Sequence, residues 1–246
     1  MSSTIKVIIN GALGKMGKTA VHAIARETGL QLVAATTRHD HLENTIKKHR
    51  ADVVIDFTTP EAVFQNTKTI IDCDARPVIG TTGLTENQIA QLTIAAEKKS
   101  LGGIIAPNFS IGAILMMRFA EIAAQHFSDV EIIETHHPQK LDAPSGTAKK
   151  TAELISKNRK QKNTSEKNNS TTKPVARGEF YHHVPIHSVR LPGAFSQQSV
   201  IFSSAGESLV IQHNAINRDA MMPGLFFCCR KVMVFNTLIY GIEKLL

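Results

Sequence analysis

A glycine-punctuated turn directly behind the first apolar run constrains this chain more than any other feature. Residues 5–9 (Ile-Lys-Val-Ile-Ile) read as a buried strand. Gly11-Ala12-Leu13-Gly14-Lys15-Met16-Gly17 then opens a helix over residues 15–27, with Val21, Ile24 and Ala25 on its inner face. Further strands are predicted over residues 30–35, 52–57, 77–80 and 103–106, and helices over 60–72 and 85–99. Pro60 ahead of Glu61 reads as a helix start, and Thr85 with Gln88 three residues on reads as a capping box. This alternation implies an α/β domain whose mostly parallel sheet is covered by helices on both faces. The G-x-x-G-x-x-G spacing still permits a tight turn and a close approach of backbone N–H groups to a pyrophosphate at a helix N-terminus. No Gly-Lys-Ser/Thr follows, which disfavours a phosphate-loop NTPase.

The second half reads differently. A helix is predicted over 111–125, a strand over 130–135 running into His136-His137, and another helix from about Ser145. Residues 185–190, 198–203 and 208–213 alternate as antiparallel strands do, with Ala205-Gly206-Glu207 as a hairpin turn. An apolar, helical stretch closes the chain over 220–245. Residues 1–110 and 217–246 therefore form one domain, and residues 111–216 form an α+β domain with a mostly antiparallel sheet.

Charge narrows the function classes. The chain carries 28 basic and 21 acidic residues, a net +7, which invites a nucleic-acid reading. Residues 157–177 hold seven basic residues against one acid, so +6 sits in that window and only +1 elsewhere. The window lacks large apolar residues over 156–174, so 157–176 reads as a solvated, mobile loop with no partner. A nucleotide-sensing or nucleic-acid-binding protein is the alternative from another class, and it predicts salt-sensitive binding. Membrane association is not expected, since Arg230, Lys231 and Asn236 break the longest apolar stretch. The start has no secretory pattern, and Cys73, Cys228 and Cys229 form neither a disulfide framework nor a zinc spacing. A cytoplasmic protein without a metal is expected.

Two segments carry chemistry. At the tip of the second strand, where such folds read the adenine ribose, stand Thr36-Thr37-Arg38. No carboxylate occupies the tip, Asp40 comes two residues late, and Arg38 offers a planar fork suited to a 2′-phosphate. NADPH is therefore the preferred donor, with NADH as the alternative. The second segment runs from Glu134 to Ala148, E-T-H-H-P-Q-K-L-D-A-P-S-G-T-A. Adjacent histidines on an extended chain point to opposite sides, so they do not share a metal. Two imidazoles, Lys140 and a helix start at Ser145-Gly146-Thr147 suit proton transfer on a small anionic substrate. A metal hydrolase built on His136, His137, His182, His183 and His187 is disfavoured, because Pro185 interrupts the only helical spacing and no H-E-x-x-H occurs.

The segment E-x-H-H-x-x-K-x-D-A-P-S-G-T-A resembles that of the 4-hydroxy-tetrahydrodipicolinate (dihydrodipicolinate) reductases of lysine and diaminopimelate biosynthesis. Asp56-Phe57-Thr58, Gly80-Thr81-Thr82-Gly83 and Ala106-Pro107-Asn108-Phe109-Ser110 match the same family in the same order. The resemblance implies a Rossmann-like cofactor domain, a substrate domain that builds a homotetramer, and reduction of a cyclic imine dicarboxylate by NADH or NADPH. It implies proton transfer by His136 and Lys140, and substrate carboxylates bound by His137, Gly146 and Thr147 with Ser145 beside them. Gly11, Ala12, Leu13, Gly14, Lys15 and Met16 are implied at the pyrophosphate. Gly80, Thr81, Thr82, Ala106, Pro107, Asn108 and Phe109 are implied around the nicotinamide, with Phe57 and Thr58 close by. Thr37 and Thr59 depart from the family's common residues, an acid and a base respectively.

Overall fold

Val7, Ile8 and Ile9 of β1 (Ile5–Asn10) are all fully buried, so this strand is covered on both faces. In the computed structural model, which describes residues 4–159 and 175–246, β1 begins a regular alternation. It continues with α1 (Lys15–Ile24), β2 (Leu30–Thr36), α2 (Leu42–His49), β3 (Val53–Asp56), α3 (Val63–Asp72), β4 (Arg76–Ile79), α4 (Glu86–Lys98) and β5 (Gly103–Ile105). The chain divides into two compact units, residues 1–111 with 218–246 and residues 112–217.

The first unit is a six-stranded sheet whose paired strands all run parallel, in the order β11-β5-β4-β3-β1-β2, where β11 is Leu238–Tyr240. One face packs Ile8, Val54, Ile79 and Ile105 against Ile70 and Ile71 of α3 and Leu92 and Ala96 of α4. Thr85 and Gln88 close the capping box at the start of α4, as their spacing predicts.

Three boundaries differ from the sequence reading. The helix after β1 stops at Ile24, and the one after β3 begins at Val63, because residues 60–62 form a turn whose last member, Ala62, is the N-cap. The link between β2 and β3 holds α2, which the sequence reading missed: its single buried residue, Ile46, gives too little apolar signal. The largest correction is at the C-terminus. The stretch read as one helix is α7 (Met222–Lys231), a 3₁₀ turn and then β11, which pairs with β5. Without β11, the N–H and C=O groups of β5 would face an open edge, so pairing overrides the helical pattern.

The second unit contains α5 (Ile111–Ala123), β6 (Asp129–His136), α6 (Gly146–Asn158), β7 (Glu179–Tyr181), β8 (Val184–Arg190), β9 (Ser196–Ser204) and β10 (Glu207–Ala215). Its sheet runs β10-β9-β6-β8-β7, and only the β6–β8 pair is parallel. Most of the basic window lies outside the described residues. Of its two ends, Lys157 pairs with Glu153 and Arg177 with Glu131. No helix among the described residues is long and apolar enough to cross a membrane.

Candidate active site

The glycine turn sits at the C-terminal end of β1. Gly11 has φ +81°, and a Cβ there would lie 2.4 Å from the Phe57 carbonyl oxygen. A Cβ on Gly17 would lie 2.2 Å from the Gly11 oxygen, so the start of α1 packs directly on the turn. Not every N–H of the turn is available to a ligand. Gly11 and Ala12 both donate to the Thr36 carbonyl, at 2.9 and 3.0 Å, and Gly14 donates to Gly11. That takes three N–H groups out of the expected pyrophosphate cradle and leaves those of Lys15 and Met16, in the first turn of α1, among the ones with no intrahelical acceptor. Gly11→Ala should raise the NADPH dissociation constant by about tenfold, since a left-handed φ and a backbone overlap oppose the same methyl group. Fluorescence titration with NADPH measures it, and an unchanged constant would remove Gly11 from the site.

A cavity of about 780 Å³ opens beside the turn, lined by Gly11, Leu13, Gly14, Arg38, Phe57 and Thr58 among the expected residues. Asn10, Thr37, His39, Asp40, Leu42, Thr59, Ala62 and Asn66 complete its wall. Its volume and the turn at one end fit a dinucleotide's adenosine portion. The strand tip differs from expectation in one respect. Asp40, set aside in the sequence as two residues late, reaches the tip: both the N–H and the hydroxyl of Thr37 donate to its Oδ2, each at 2.8 Å. The backbone bond first, and then the hydroxyl bond, holds the Asp40 carboxyl below its usual range. A carboxylate therefore does line the cavity, beside the exposed Arg38, whose Nε donates to His39 Nε2 at 3.2 Å.

Beneath this cavity lies a residue the sequence reading left without a role. Asp56, fully buried at the end of β3, accepts from Asn10 Nδ2 (2.9 Å), Asn66 Nδ2 (3.0 Å), Thr58 N–H (3.1 Å), Thr58 Oγ1 (2.7 Å) and Thr81 Oγ1 (2.8 Å). One carboxylate thus ties together β1, the β3 loop, α3 and the β4 loop. An acid ending an apolar strand, Val-Val-Ile-Asp, was the available signal. Gly80, Phe57 and Phe109 also meet: the two rings stand edge-on at 6.0 Å, and a Cβ on Gly80 would strike both. Ala106 N–H donates to Ile79, and Asn108 Oδ1 accepts from Ser110 N–H at 2.8 Å, while Pro107 and Thr82 are exposed.

The second unit gathers the E-x-H-H-x-x-K segment. Register in the sheet places His136 opposite Arg190 of β8 on one side and Ser196 of β9 on the other. Glu134, with no exposed surface, meets His136 Nδ1 at 2.5 Å and accepts from Arg190 Nη1 (3.0 Å), Arg190 Nη2 (2.9 Å) and the Ser145 N–H (3.3 Å). Burial works to raise its carboxyl, but bonds from His136, Arg190 and Ser188 outweigh that and hold it at about 2. His136 Nε2 meets Ser196 Oγ at 3.1 Å. Lys140 donates to both Asp142 oxygens, at 2.8 and 2.9 Å, and Arg190 Nη2 reaches the Asp142 carbonyl at 2.8 Å. Neither Arg190 nor Ser196 was named from the sequence.

Ser145 is the N-cap of α6, its hydroxyl accepting from Ala148 N–H at 3.2 Å, so that oxygen already has a partner. Gly146 and Thr147 follow in the first helical turn, and a Cβ on Gly146 would meet nothing within 4 Å, so the helix start is open. His137 Nδ1 is buried without a hydrogen-bond partner. The histidines of the metal-hydrolase reading have other company: His187 Nε2 meets Glu131 at 2.7 Å, and His182 stands edge-on to Tyr181. Among the described residues no cluster of three His, Cys, Asp or Glu side chains forms a metal site.

The chain matches the family models described as dihydrodipicolinate reductase, N-terminus, over residues 5–109, and dihydrodipicolinate reductase, C-terminus, over residues 112–246. It is 55% identical over 242 residues to a 4-hydroxy-tetrahydrodipicolinate reductase of Coxiella burnetii, covering 98% of this chain and 99% of that one. A Legionella pneumophila relative of the same name is 50% identical over 241 residues, covering 98% and 99% respectively. The solved structure of dipicolinate-bound dihydrodipicolinate reductase from Paenisporosarcina sp. TG-14 is 42% identical, with a TM-score of 0.90 over 99% of this chain and 100% of that one. A Clostridium difficile dehydrogenase shares the fold alone, at 13% identity and a TM-score of 0.64 over 98% of this chain and 95% of that one. By both family models and by identity across nearly its whole length, the chain belongs to the dihydrodipicolinate reductase family.

Proposed function

We propose that this chain reduces the cyclic imine dicarboxylate formed from 4-hydroxy-tetrahydrodipicolinate, with NADPH preferred over NADH and with His136 and Lys140 handling the proton. The reductase activity itself, an oxidoreductase step in lysine biosynthesis, follows from family membership. The observation that carries the residue assignment is the cluster of His136, Lys140 and the open start of α6, held around one buried carboxylate. Bound NADPH supplies the hydride. The chain's own groups bind the two carboxylates and deliver a proton. N–H groups of Gly146 and Thr147, with the Thr147 hydroxyl, offer the first carboxylate a helix N-terminus, and His137 adds a ring donor. The relative solved with dipicolinate bound supports a planar dicarboxylate in such a site. Thr147→Val should raise the substrate KM by about tenfold or more, the loss of one charge-assisted hydrogen bond, and leave the KM for NADPH unchanged. Equal losses on both would place Thr147 elsewhere.

The donor preference rests on Arg38 beside the cavity, with His39 next to it and threonine at position 37. Asp40 opposes an added phosphate, but its Oδ2 already accepts two bonds from Thr37. NADPH is then favoured by about tenfold in kcat/KM, equivalent to about 1.4 kcal/mol. Arg38→Ala should remove most of that preference by weakening NADPH use alone, as parallel assays with both donors would read. A wild type that prefers NADH would overturn the assignment. We also propose a homotetramer working in the cytoplasm, supported by the exposed Leu209 and Val210 on the edge strand β10 and by three free cysteines. Sedimentation at the mass of a single chain would reject the tetramer.

A further inference from the structure

We propose that Glu134, neutralised by Arg190, is a positioning residue that fixes the His136 ring with its proton on Nδ1, and that Ser196 completes the exchanging end of the ring at Nε2. The inference rests on the proton-transfer role assigned to His136 above. It starts from sheet register. Because β6 lies between β8 and β9, the strand that ends in His136 meets Arg190 on one flank and Ser196 on the other.

An ionised carboxylate only accepts hydrogen bonds. Glu134 meets His136 Nδ1 at 2.5 Å, so the hydrogen between them belongs to the ring. The other neutral tautomer would set a bare nitrogen lone pair against a carboxylate oxygen with no hydrogen between them. The lone pair is thereby assigned to Nε2, where Ser196 Oγ stands at 3.1 Å. A hydroxyl can donate to a bare Nε2 or, after turning, accept from a protonated one. Protonation at Nε2 is therefore matched in both states by rotation of one hydroxyl, with no heavy atom displaced. When the ring gives up its Nε2 proton, the Ser196 O–H turns onto the vacated nitrogen. When water returns a proton, the hydroxyl turns away again.

Arg190 neutralises the carboxylate that orients the ring. Its two terminal nitrogens bond both Glu134 oxygens, so the pair is neutral as a unit. The same Nη2 donates to the Asp142 carbonyl, and Asp142 pairs with Lys140. The charged groups facing His136 are thus Glu134 on its own strand, Arg190 on β8, and Asp142 with its partner Lys140 on the following loop. Glu134 thus bonds His136 directly and is linked to the Asp142–Lys140 pair through Arg190.

The test is ¹⁵N NMR of the histidine rings in the full-length protein, with steady-state kinetics alongside. In the wild type the neutral His136 ring should show a protonated Nδ1 and an unprotonated Nε2. The reverse pattern overturns the proposal. In Glu134→Gln the single amide oxygen remains with Arg190, and the NH₂ then faces Nδ1, so the tautomer should invert. The kcat should fall by about tenfold or more, as when a histidine is held in the wrong tautomer, with the KM for NADPH unchanged. Glu134→Asp should restore the wild-type ring pattern and part of kcat. Ser196→Ala should lower kcat about threefold at unchanged KM, and Ser196→Thr should restore it. Full activity with a wild-type ring pattern in Glu134→Gln overturns the positioning role. Full activity in His136→Asn would instead reject the proton-transfer role of His136, while the tautomer result would still stand, so the two failures are distinguishable.

Discussion

Replacing Lys140 with alanine should lower kcat by about 100-fold or more, equivalent to about 2.7 kcal/mol of transition-state stabilisation, within the range of general acid catalysis. Hydride addition puts two electrons into a conjugated imine, and the product is complete only when a proton arrives. Lys140 is suited to deliver it. Its side chain is 22% exposed, enough to be re-protonated from solvent, and its ammonium is held by Asp142 rather than swinging free. The hydrogen bond from Lys140 comes first among the causes that hold Asp142 below its usual range, so this acid stays ionised across the working pH. The same pairing separates two variants. Lys140→Ala removes the proposed acid, whereas Asp142→Asn leaves the ammonium in place with a weaker anchor and should cost about tenfold or less. Single-turnover reduction with saturating NADPH reads the chemical step directly. Near-normal turnover in Lys140→Ala would transfer the proton donation to His136 alone.

Much of this site was legible because it is local. The segment from Glu134 to Ala148 places two imidazoles, an ammonium and a helix start within fifteen consecutive residues, and chemistry of that density survives without knowledge of the fold. The parallel sheet was equally readable, since strands buried on both faces leave uninterrupted apolar runs such as Val7-Ile8-Ile9. What escaped depends on pairing between distant residues. Arg190 and Ser196 lie 56 residues beyond Glu134 and 60 beyond His136, and only the β6–β8 and β6–β9 registers bring them in. An arginine before Leu191-Pro192-Gly193 looks like any exposed strand end. β11 escaped for the related reason that an edge strand of three residues is selected by the neighbour it covers. The Thr37–Asp40 contact was within reach: a threonine three residues before an aspartate in a loop is a common way for a carboxylate to organise a turn. Its omission left Asp40 apart from the strand tip, where the structure has it bonded to Thr37.

Glu134 also makes an expected signature in acid. Its carboxyl has an ordinary value of 4.5 and is held at about 2 in the folded chain. Since the folded value is the lower one, the unfolded chain takes up the proton first as pH falls. The stabilisation is complete above about pH 4.5 and declines from there toward pH 2. A shift of that size corresponds to about 3 kcal/mol. The group has no exposed surface, so solvent screening removes little of this. The other depressed carboxyls at ion pairs in this unit, Asp142 and Glu153, are far more exposed and contribute little by comparison. Direct observation is available from ¹³C NMR of the glutamate carboxyls, where Glu134 should be the resonance still ionised at pH 3. Urea unfolding between pH 6 and pH 2.5 should lose about 2–3 kcal/mol through this group. A Glu134 titration midpoint above 4.5 would mean that His136 and Arg190 do not outweigh its burial. Only a midpoint raised to the working pH would leave Glu134 protonated there, as a hydrogen-bond donor that no longer fixes the His136 proton on Nδ1.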